Sequence, residues 1–418
     1  MNIEVNTYYE LFHLLQTQPM LNFLKNVQQL NVNRLRKKKK IKIAFQVTSL
    51  SSWCTDFVPR LLSAIEKFDV TVIITWQMNT SYEQEVLPAI EYFKKSGLKY
   101  SVADGSIHPG DFDIVFYLSP YLDALANWTD KEIPLTTLLC YLPYGYWVDK
   151  TQPMGFNLFL HNAAWKNYVP NKTYLEMGNR WCLLGNYNMV TVGCPKLDTL
   201  YTAPNLGKEA VWKLKNPNAR KIIYAPHHSI GNLHAEGIAY STFLELGELV
   251  LNLAIKYKDE TQWVFKPHTR LYDKLLTIWG KEKTDSYYRS WEELDNAQIE
   301  EGVYADLFKT SDAMIHDCSS FTIEYLTTKK PVMYLTHCEN DHHQDNMLPY
   351  ARRAFELHYK GFTKQLIEEF VNNVINGVDP LKSEREKYFE ECLLPPHGKT
   401  ACENIINAIL GEAEYSNV

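Results

Sequence analysis

The stretch from Ala305 to Leu335, ADLFKTSDAMIHDCSSFTIEYLTTKKPVMYL, constrains the fold most. Two short apolar runs, Ala313 to His316 and Val332 to Leu335, read as fully buried strands. Between them Asp317-Cys318-Ser319-Ser320 breaks the first run with small polar side chains that favour a helix start. Phe321 to Thr328 continues as a helix, and Lys330-Pro331 ends it before the second strand. Ala305 to Ser311 is a helical turn with Leu307 and Phe308 on its buried side. A strand, a helix and a strand at this spacing form a βαβ unit of an open α/β sheet, where ligands sit outside the carboxyl ends of strands. A helix start there offers backbone N–H groups and a positive dipole end, which suit phosphate. Asp317, Ser319 and Ser320 are therefore candidates for a phosphate and ribose cradle, and a simple N-cap without ligand is the alternative.

The rest of the chain repeats the alternation. Strands are expected at Ile41 to Val47, Val70 to Thr75, Tyr100 to Val102, Ile114 to Leu118 and Leu135 to Tyr141, with helices at Phe57 to Phe68 and Tyr82 to Ser96. Met189 to Val192 runs into the turn Gly193-Cys194-Pro195-Lys196-Leu197-Asp198. Ile222 to Tyr224 opens a second sheet, followed by a helix at Thr242 to Tyr257 and a strand at Gln262 to Phe265. Gly361 to Asn376 and Thr400 to Leu410 read as closing helices. The spacing is that of right-handed crossovers and predicts an α/β fold of two Rossmann-like, doubly wound domains facing a central cleft. The boundaries are an N-terminal amphipathic helical segment with a basic run over 1–40, an acceptor-side domain over 41–204, a nucleotide-donor domain over 205–395 and a closing helix over 396–418. In the first segment Tyr9, Leu11, Phe12, Leu15, Met20, Leu21, Phe23 and Leu24 recur at helical spacing, which predicts an amphipathic helical pair broken near Pro19. The basic run Arg34 to Lys40 suits either anionic lipid or a solvated entry to the first strand.

A chain of 418 residues exceeds one ordinary core. A net charge of -6 argues against nucleic acid as the main partner. The eight cysteines are scattered singly, with no CxxC pair, which disfavours a zinc ribbon and fits reduced thiols in the cytosol. No run approaches the roughly 18 apolar residues that span a bilayer, and the N-terminus lacks the pattern of a secretory leader.

Five motifs fall at strand ends: Tyr144-Gly145-Tyr146, the Gly193 to Asp198 turn, Ala225-Pro226-His227-His228-Ser229, Lys266-Pro267-His268-Thr269-Arg270, and Asp317 to Ser320. Lys266, His268 and Arg270 gather one imidazole and two cations, enough to hold a diphosphate and steady a phosphate leaving group. In an extended segment His227 and His228 point to opposite sides, so at most one is expected to face a ligand. His337, Cys338, Asp341, His342, His343 and Asp345 are sound metal-ligand types, but their spacing fits no familiar zinc site, and a substrate-facing or flexible loop is the expectation.

The ordered set VGCPKLD, IIYAPHHS, FKPHTR and the 305–335 block resembles the CDP-glycerol glycerophosphotransferase family, the teichoic-acid and capsule-type polymerases and primases of bacteria. The resemblance covers about residues 110 to 410, with the Asp-x-Ser-Ser block its most specific part, and the late segment ECLLPPHGKTACENIINAI has His397-Gly398 where the family usually has Asp-Gly. It implies a GT-B fold, a CDP-activated donor bound mainly by the C-terminal domain, and peripheral attachment to the cytoplasmic face of the inner membrane. His268 matches the family histidine that contacts the donor phosphates, and Asp317, Ser319 and Ser320 match the donor-binding Asp and Ser pair. Gly193, Pro195 and Asp198 match a Gly-x-Pro-Arg-x-Asp turn with Lys196 in place of Arg. Where the family carries His-Gly-Thr, with that histidine as base for the acceptor hydroxyl, this chain has Tyr144-Gly145-Tyr146.

Polyol-phosphate transfer from a CDP-activated donor to a hydroxyl of a glycan or lipid-linked acceptor follows as the expected function. Its catalytic residues are His268, His228 and Tyr144; its donor-binding residues are Lys266, Arg270, Asp317, Ser319, Ser320, Pro226 and His227; its acceptor-side residues are Gly145, Tyr146 and Asp149. A phenol, with an ordinary pKa near 10, is a poor base at neutral pH, so Asp149, His161 or His228 are candidates for the proton. No cofactor is expected, with Mg2+ left open. Two other readings stand beside it: a GT-B glycosyltransferase with a nucleotide-sugar donor, and a catalytically silent member that binds nucleotide or lipid-linked glycan.

Overall fold

A computed structural model describes residues 18–53, 55–77, 81–121, 125–126, 128, 133–148, 156–202, 211–213, 216–231, 241–300, 304–339, 345 and 347–411. The chain forms two compact units: Met1–Trp147 with Thr151–Asp198 and Leu394–Val418, and Val148–Lys150 with Thr199–Leu393.

The strands of the first unit are β1 (Ile41–Val47), β2 (Phe68–Ile74), β3 (Trp76–Gln77), β4 (Tyr100–Val102), β5 (Ile114–Tyr117), β6 (Leu125–Ala126), β7 (Leu138–Tyr141), β8 (Lys166–Val169) and β9 (Met189–Thr191). β3 and β6 pair as an antiparallel ribbon; the other seven form one parallel sheet in the order β4-β2-β1-β5-β7-β8-β9. Both faces of a parallel sheet are covered by crossover helices, so its strands read as nearly continuous apolar runs. β1 obeys this, burying every residue but Lys42. The helix Tyr82–Ser96 packs Val86, Ala89 and Phe93 inward and stops at Gly97, whose φ of 73° a Cβ would disfavour.

The helix Gln18–Lys37 belongs to this unit, and Pro19 sits in its first turn, where a missing N–H does no harm. Leu24 and Leu35 are buried, and the side chains of Gln28 and Asn31 donate to the carbonyls of Ala163 and Leu135. Leu24 and Leu35 therefore face the domain, whereas Phe23 and Leu30 are exposed. The basic run is divided: Arg34 and Lys38 approach the nearly buried Asp113 carboxylate, at 3.5 and 2.7 Å, whereas Arg36, Lys37 and Lys39 are exposed. Tyr9, Leu11, Phe12 and Leu15 lie outside the described residues.

The second unit carries β10 (Arg220–Ala225), β11 (Thr261–Phe265), β12 (Ala297–Ile299), β13 (Ala313–His316), β14 (Val332–Leu335) and β15 (Tyr359–Gly361), all parallel, in the order β12-β11-β10-β13-β14-β15. Strand order reverses between β10 and β13, the switch point beside which such sheets bind ligands. An aromatic stack holds the centre: Phe265 lies over Trp291 at 5.1 Å and beside Tyr224 at 5.8 Å. That stack fixes the end of β11 just before Lys266. The helical turn Ala305–Thr310 buries Leu307 and Phe308, as the spacing predicts. The expected helix from Gly361 is instead the end of edge strand β15, with the helix starting at Lys364. A Cβ on Gly361 would meet Met333 Sδ at 2.6 Å, so only glycine lets this strand lie so close to β14.

The Gly193 to Asp198 turn joins the first unit to its C-terminal helix, Ala401–Leu410. Gly193 has φ 94°, and a Cβ there would meet Pro395 Cβ at 2.8 Å. Asp198, 1% exposed, accepts from the backbone N–H groups of Ala401 at 2.9 Å and Cys402 at 2.8 Å. It thus supplies acceptors for two of the orphan donors at the start of that helix. Burial raises its pKa, so the proton competes with those bonds on acidification. Asp198→Ala should leave two buried N–H groups unpaired and lower stability by about 2–3 kcal/mol, read as a fall in the urea midpoint at an unchanged slope.

Candidate functional site

In the second unit three strand ends converge. β10 leads into Pro226-His227-His228-Ser229, β11 into Lys266 to Arg270, and β13 into Asp317 to Ser320. Lys266 N–H donates to the Tyr224 carbonyl at 2.7 Å and His268 N–H to the Pro226 carbonyl at 3.1 Å, so the first two loops run on as a continuation of the sheet.

Asp317 is fully buried, and its carboxylate joins the elements. One oxygen accepts from His227 N–H at 2.6 Å; the other accepts from Ser241 Oγ at 2.9 Å, Thr242 N–H at 2.8 Å and Thr242 Oγ1 at 3.2 Å. Thr242 precedes the helix Phe243–Lys256, so the carboxylate also faces the positive end of a helix dipole. Burial pushes its pKa up to about 6, against the hydrogen bonds, which favour the charged form. A carboxylate so engaged positions His227 and the helix start. Ser319 is half-buried and Ser320 exposed, the latter directly before the short helix Phe321–Glu324.

The expectation that His227 and His228 diverge is overturned. Ring centroids lie 4.3 Å apart for His227 and His228, 5.0 Å for His227 and His268, and 4.3 Å for His228 and His268. The segment is not extended: Ile230 N–H closes on the His228 carbonyl at 2.8 Å, and Ser229 N–H donates to His227 Nδ1 at 3.1 Å. Arg270 N–H likewise donates to His268 Nδ1 at 3.2 Å. An imidazole that accepts at Nδ1 carries its neutral-state proton on Nε2. His227 and His268 therefore present Nε2–H donors. Burial first, then His228, Arg270 and Lys266, lower the His268 pKa to about 4, which keeps it neutral at physiological pH. Lys266 is nearly buried, its Nζ 5.7 Å from the centre of the Tyr304 ring.

Ligand atoms of the three histidines lie within 4.8 Å of one another, close enough for a transition metal. The two Nδ1 contacts favour tautomers that donate to an anion instead. Mg2+ prefers oxygen ligands, and the carboxylate that Asp317 presents to His227 N–H is already occupied by four donors. These residues do not fit Mg2+.

In the first unit Tyr144, Gly145 and Tyr146 line a cavity of about 60 Å³, together with Tyr141, His161 and Tyr174. Tyr174 Oη accepts from Trp147 N–H at 2.5 Å and donates to the Trp147 carbonyl at 3.3 Å, which pins the end of the loop. His161 is buried, its pKa lowered to about 4 by burial, and its Nδ1 accepts from Leu158 N–H at 3.2 Å. In that tautomer it is a donor and not the base considered for the acceptor hydroxyl. Asp149 lies outside the described residues.

A sequence model of the CDP-glycerol:poly(glycerophosphate) glycerophosphotransferase family matches residues 149–410, more than half of the chain. The chain belongs to that family. It is a glycerophosphotransferase-family enzyme with a GT-B-like fold. Among solved structures, the wall teichoic acid polymerase TagF superposes with a TM-score of 0.57 at 12% identity, over 96% of this chain and 97% of that one. The UDP-GlcNAc 2-epimerase of Neisseria meningitidis gives 0.51 at 14% identity, over 89% and 99%. That of Methanocaldococcus jannaschii gives 0.52 at 13%, over 89% and 99%. At these identities the likeness is one of fold. No match is found among curated protein sequences.

Within this glycerophosphotransferase-family chain, the structure brings Pro226, His227, His228, Lys266, His268, Arg270 and Asp317 to adjoining strand ends of one sheet. Tyr144, Gly145, Tyr146 and His161 belong to the other unit. Of the loop after β14, His337 Nδ1 meets Glu245 at 2.9 Å and Cys338 is exposed; Asp341, His342 and His343 lie outside the described residues. Ser241 and Thr242, which hold Asp317, escape a sequence reading because they stand 75 and more residues away with no motif of their own.

The titrations carry a sign. His161, His268 and His316 have folded pKa values of about 4, 4 and 3, below the ordinary 6.5. The unfolded chain therefore binds more protons between pH 6.5 and 4, and the stability they contribute above 6.5 is lost as pH falls. Asp317, raised to about 6 from 3.8, acts oppositely, favouring the folded state more as pH falls from 6 to 4. Buried His358, lowered well below the ordinary value, adds to the imidazole side, and Asp198, raised by burial, to the carboxyl side; the imidazoles outweigh the carboxyls, so the urea midpoint should decline from pH 6.5 to 4, and Asp317→Asn should make the decline steeper.

Proposed function

We propose that this enzyme transfers a polyol phosphate, glycerol or ribitol phosphate, from a CDP-activated donor to a hydroxyl of a bacterial surface glycan. The observation that carries the reading is the gathering of His227, His228 and His268 beside Lys266 and Arg270 at the switch point of the second sheet, in a chain of this family. Neutral Nε2–H donors and two cations suit the diphosphate of such a donor. The acceptor oxygen attacks the β-phosphorus in line, the bond from that phosphorus to the bridging oxygen breaks, and CMP departs with the electron pair. Lys266 and Arg270 offset the charge that grows on the leaving phosphate, while His268 and His227 donate to its oxygens. Ser319 and Ser320 hold the nucleotide part, and Asp317 acts through His227, which it positions. The acceptor proton goes to a base; His228 is our assignment, since Tyr144 is a phenol and His161 presents a donor.

Peripheral attachment to the cytoplasmic face of a membrane is part of the proposal. It is supported by the exposed Arg36, Lys37 and Lys39 at the end of the first helix. No helix among the described residues is long and apolar enough to cross a membrane.

A thermal-shift panel of CMP, CDP, UDP, GDP, CDP-glycerol and CDP-ribitol tests the donor, since a ligand of the native state raises its melting temperature. Shifts confined to cytidine compounds are expected. Shifts with UDP or GDP alone would move the assignment to a nucleotide-sugar glycosyltransferase, the reading that the phenol at position 144 keeps in play. His268→Ala should retain the fold by circular dichroism and lower kcat by about 10²–10³-fold. Near-normal turnover in that variant would remove His268 from the mechanism.

A further inference from the structure

The cavity of the first unit has a chemistry that its motif does not announce. Its floor is one register row across three strands, Tyr141 opposite Asn167 and Asn167 opposite Met189. In-register neighbours of a parallel sheet share a face, so these side chains lie side by side. Asn167 is 1% exposed, and its Nδ2 is buried with no hydrogen-bond partner. Trp147 Nε1, on another lining residue, is also buried, and among the described residues neither atom has a partner. Buried polar groups in folded proteins are nearly always paired, and those left over mark strain, a function or a missing partner. His161 adds a third donor: Leu158 N–H occupies its Nδ1, which puts the proton on Nε2.

What surrounds these donors is aromatic. Tyr144, Tyr146, Phe156 and Tyr174 line the walls, with Tyr146 and Tyr174 edge to face at 6.3 Å and Phe156 against Tyr174 at 5.5 Å. Among the described residues that line the cavity there is no Lys, Arg, Asp or Glu. A phosphate entering it would lose water and meet no counter-charge. The fitting guest is uncharged, offers acceptor oxygens to N–H donors, and has an apolar face to lay on a ring. A pyranose has all three.

We propose that this cavity binds an uncharged pyranose residue of the acceptor glycan, held by Asn167 Nδ2, Trp147 Nε1 and His161 Nε2 and stacked on the tyrosines. The inference rests on the reading above that the acceptor is a glycan hydroxyl. It goes further in placing a neutral sugar, not a polyanionic polyol-phosphate chain, in this pocket.

Saturation-transfer NMR on the full chain tests it, with methyl glycosides of glucose, galactose and N-acetylglucosamine as neutral probes and glycerol 3-phosphate as the anionic one. At least one glycoside should bind, with saturation strongest on the protons of one ring face. Trp147→Phe, which keeps an aromatic ring but removes the pyrrole half of the indole with its N–H, should weaken that binding at least about fivefold, the effect of one hydrogen bond. Asn167→Leu should do at least as much, and Trp147→Phe alone suffices where that variant fails to fold. Glycoside binding unchanged by Trp147→Phe overturns the proposal. So does binding of glycerol 3-phosphate, but of no glycoside, that the same substitution weakens. The shift of the unaltered chain with CDP-glycerol reports separately on the donor: glycoside binding without any cytidine effect would sink the donor reading and leave the sugar site standing.

Discussion

The second unit is organised by one buried carboxylate. Asp317 stands at the end of β13, next to β10 across the switch point, and accepts from the loop after β10 and from the start of the helix Phe243–Lys256. Taking an acid out of water disfavours its charge, and the rise of its pKa to about 6 registers that. Four donors within 3.2 Å offset the penalty and convert it into geometry. With both oxygens engaged, the group is poorly suited to hold a ligand and well suited to hold the residues that do. The resemblance to a family motif identifies the position, while the hydrogen bonds say by what route it acts.

The same trade is visible in the histidines. Three imidazoles crowded beside Lys266 and Arg270 could not all be charged. Burial and mutual repulsion keep His268 neutral, and a neutral ring with Nδ1 occupied is a fixed N–H donor. Formal positive charge is left to Lys266 and Arg270. On the proposed reading, a site built in this way would hold a diphosphate without depending on imidazole protonation, and donor binding and the uptake of the acceptor proton would fall to different groups.

Legibility from sequence followed the range of the interactions. The block 305–335 could be read because its strands, its break and its terminating Lys330-Pro331 are local. The convergence of His227 and His228 could not, because it accompanies contacts, Ile230 N–H to the His228 carbonyl and Ser229 N–H to His227 Nδ1, within a segment otherwise expected to be extended. The strand β8 has only four residues, beginning with Lys166, and escapes a reading by apolar runs; yet it carries Asn167. The Gly193 to Asp198 turn was legible as a motif and silent about its task. Asp198 caps a helix more than 200 residues further along the chain, and only the fold brings Ala401 and Cys402 to it.

The phenol at position 144 then takes on a different meaning. If Tyr144 stood where a base must stand, the chain would carry a defect at its acceptor end. The cavity it lines offers another role, since a ring at the mouth of a tyrosine-rich, donor-lined pocket serves stacking better than proton transfer. His161, the imidazole of that pocket, points the same way, because its occupied Nδ1 makes it a donor at the very place where a base would need a lone pair. Both departures are consistent with a first unit that grips an uncharged ring and leaves proton removal to a group elsewhere. On our proposal that base is His228, the third imidazole of the cluster at the switch point.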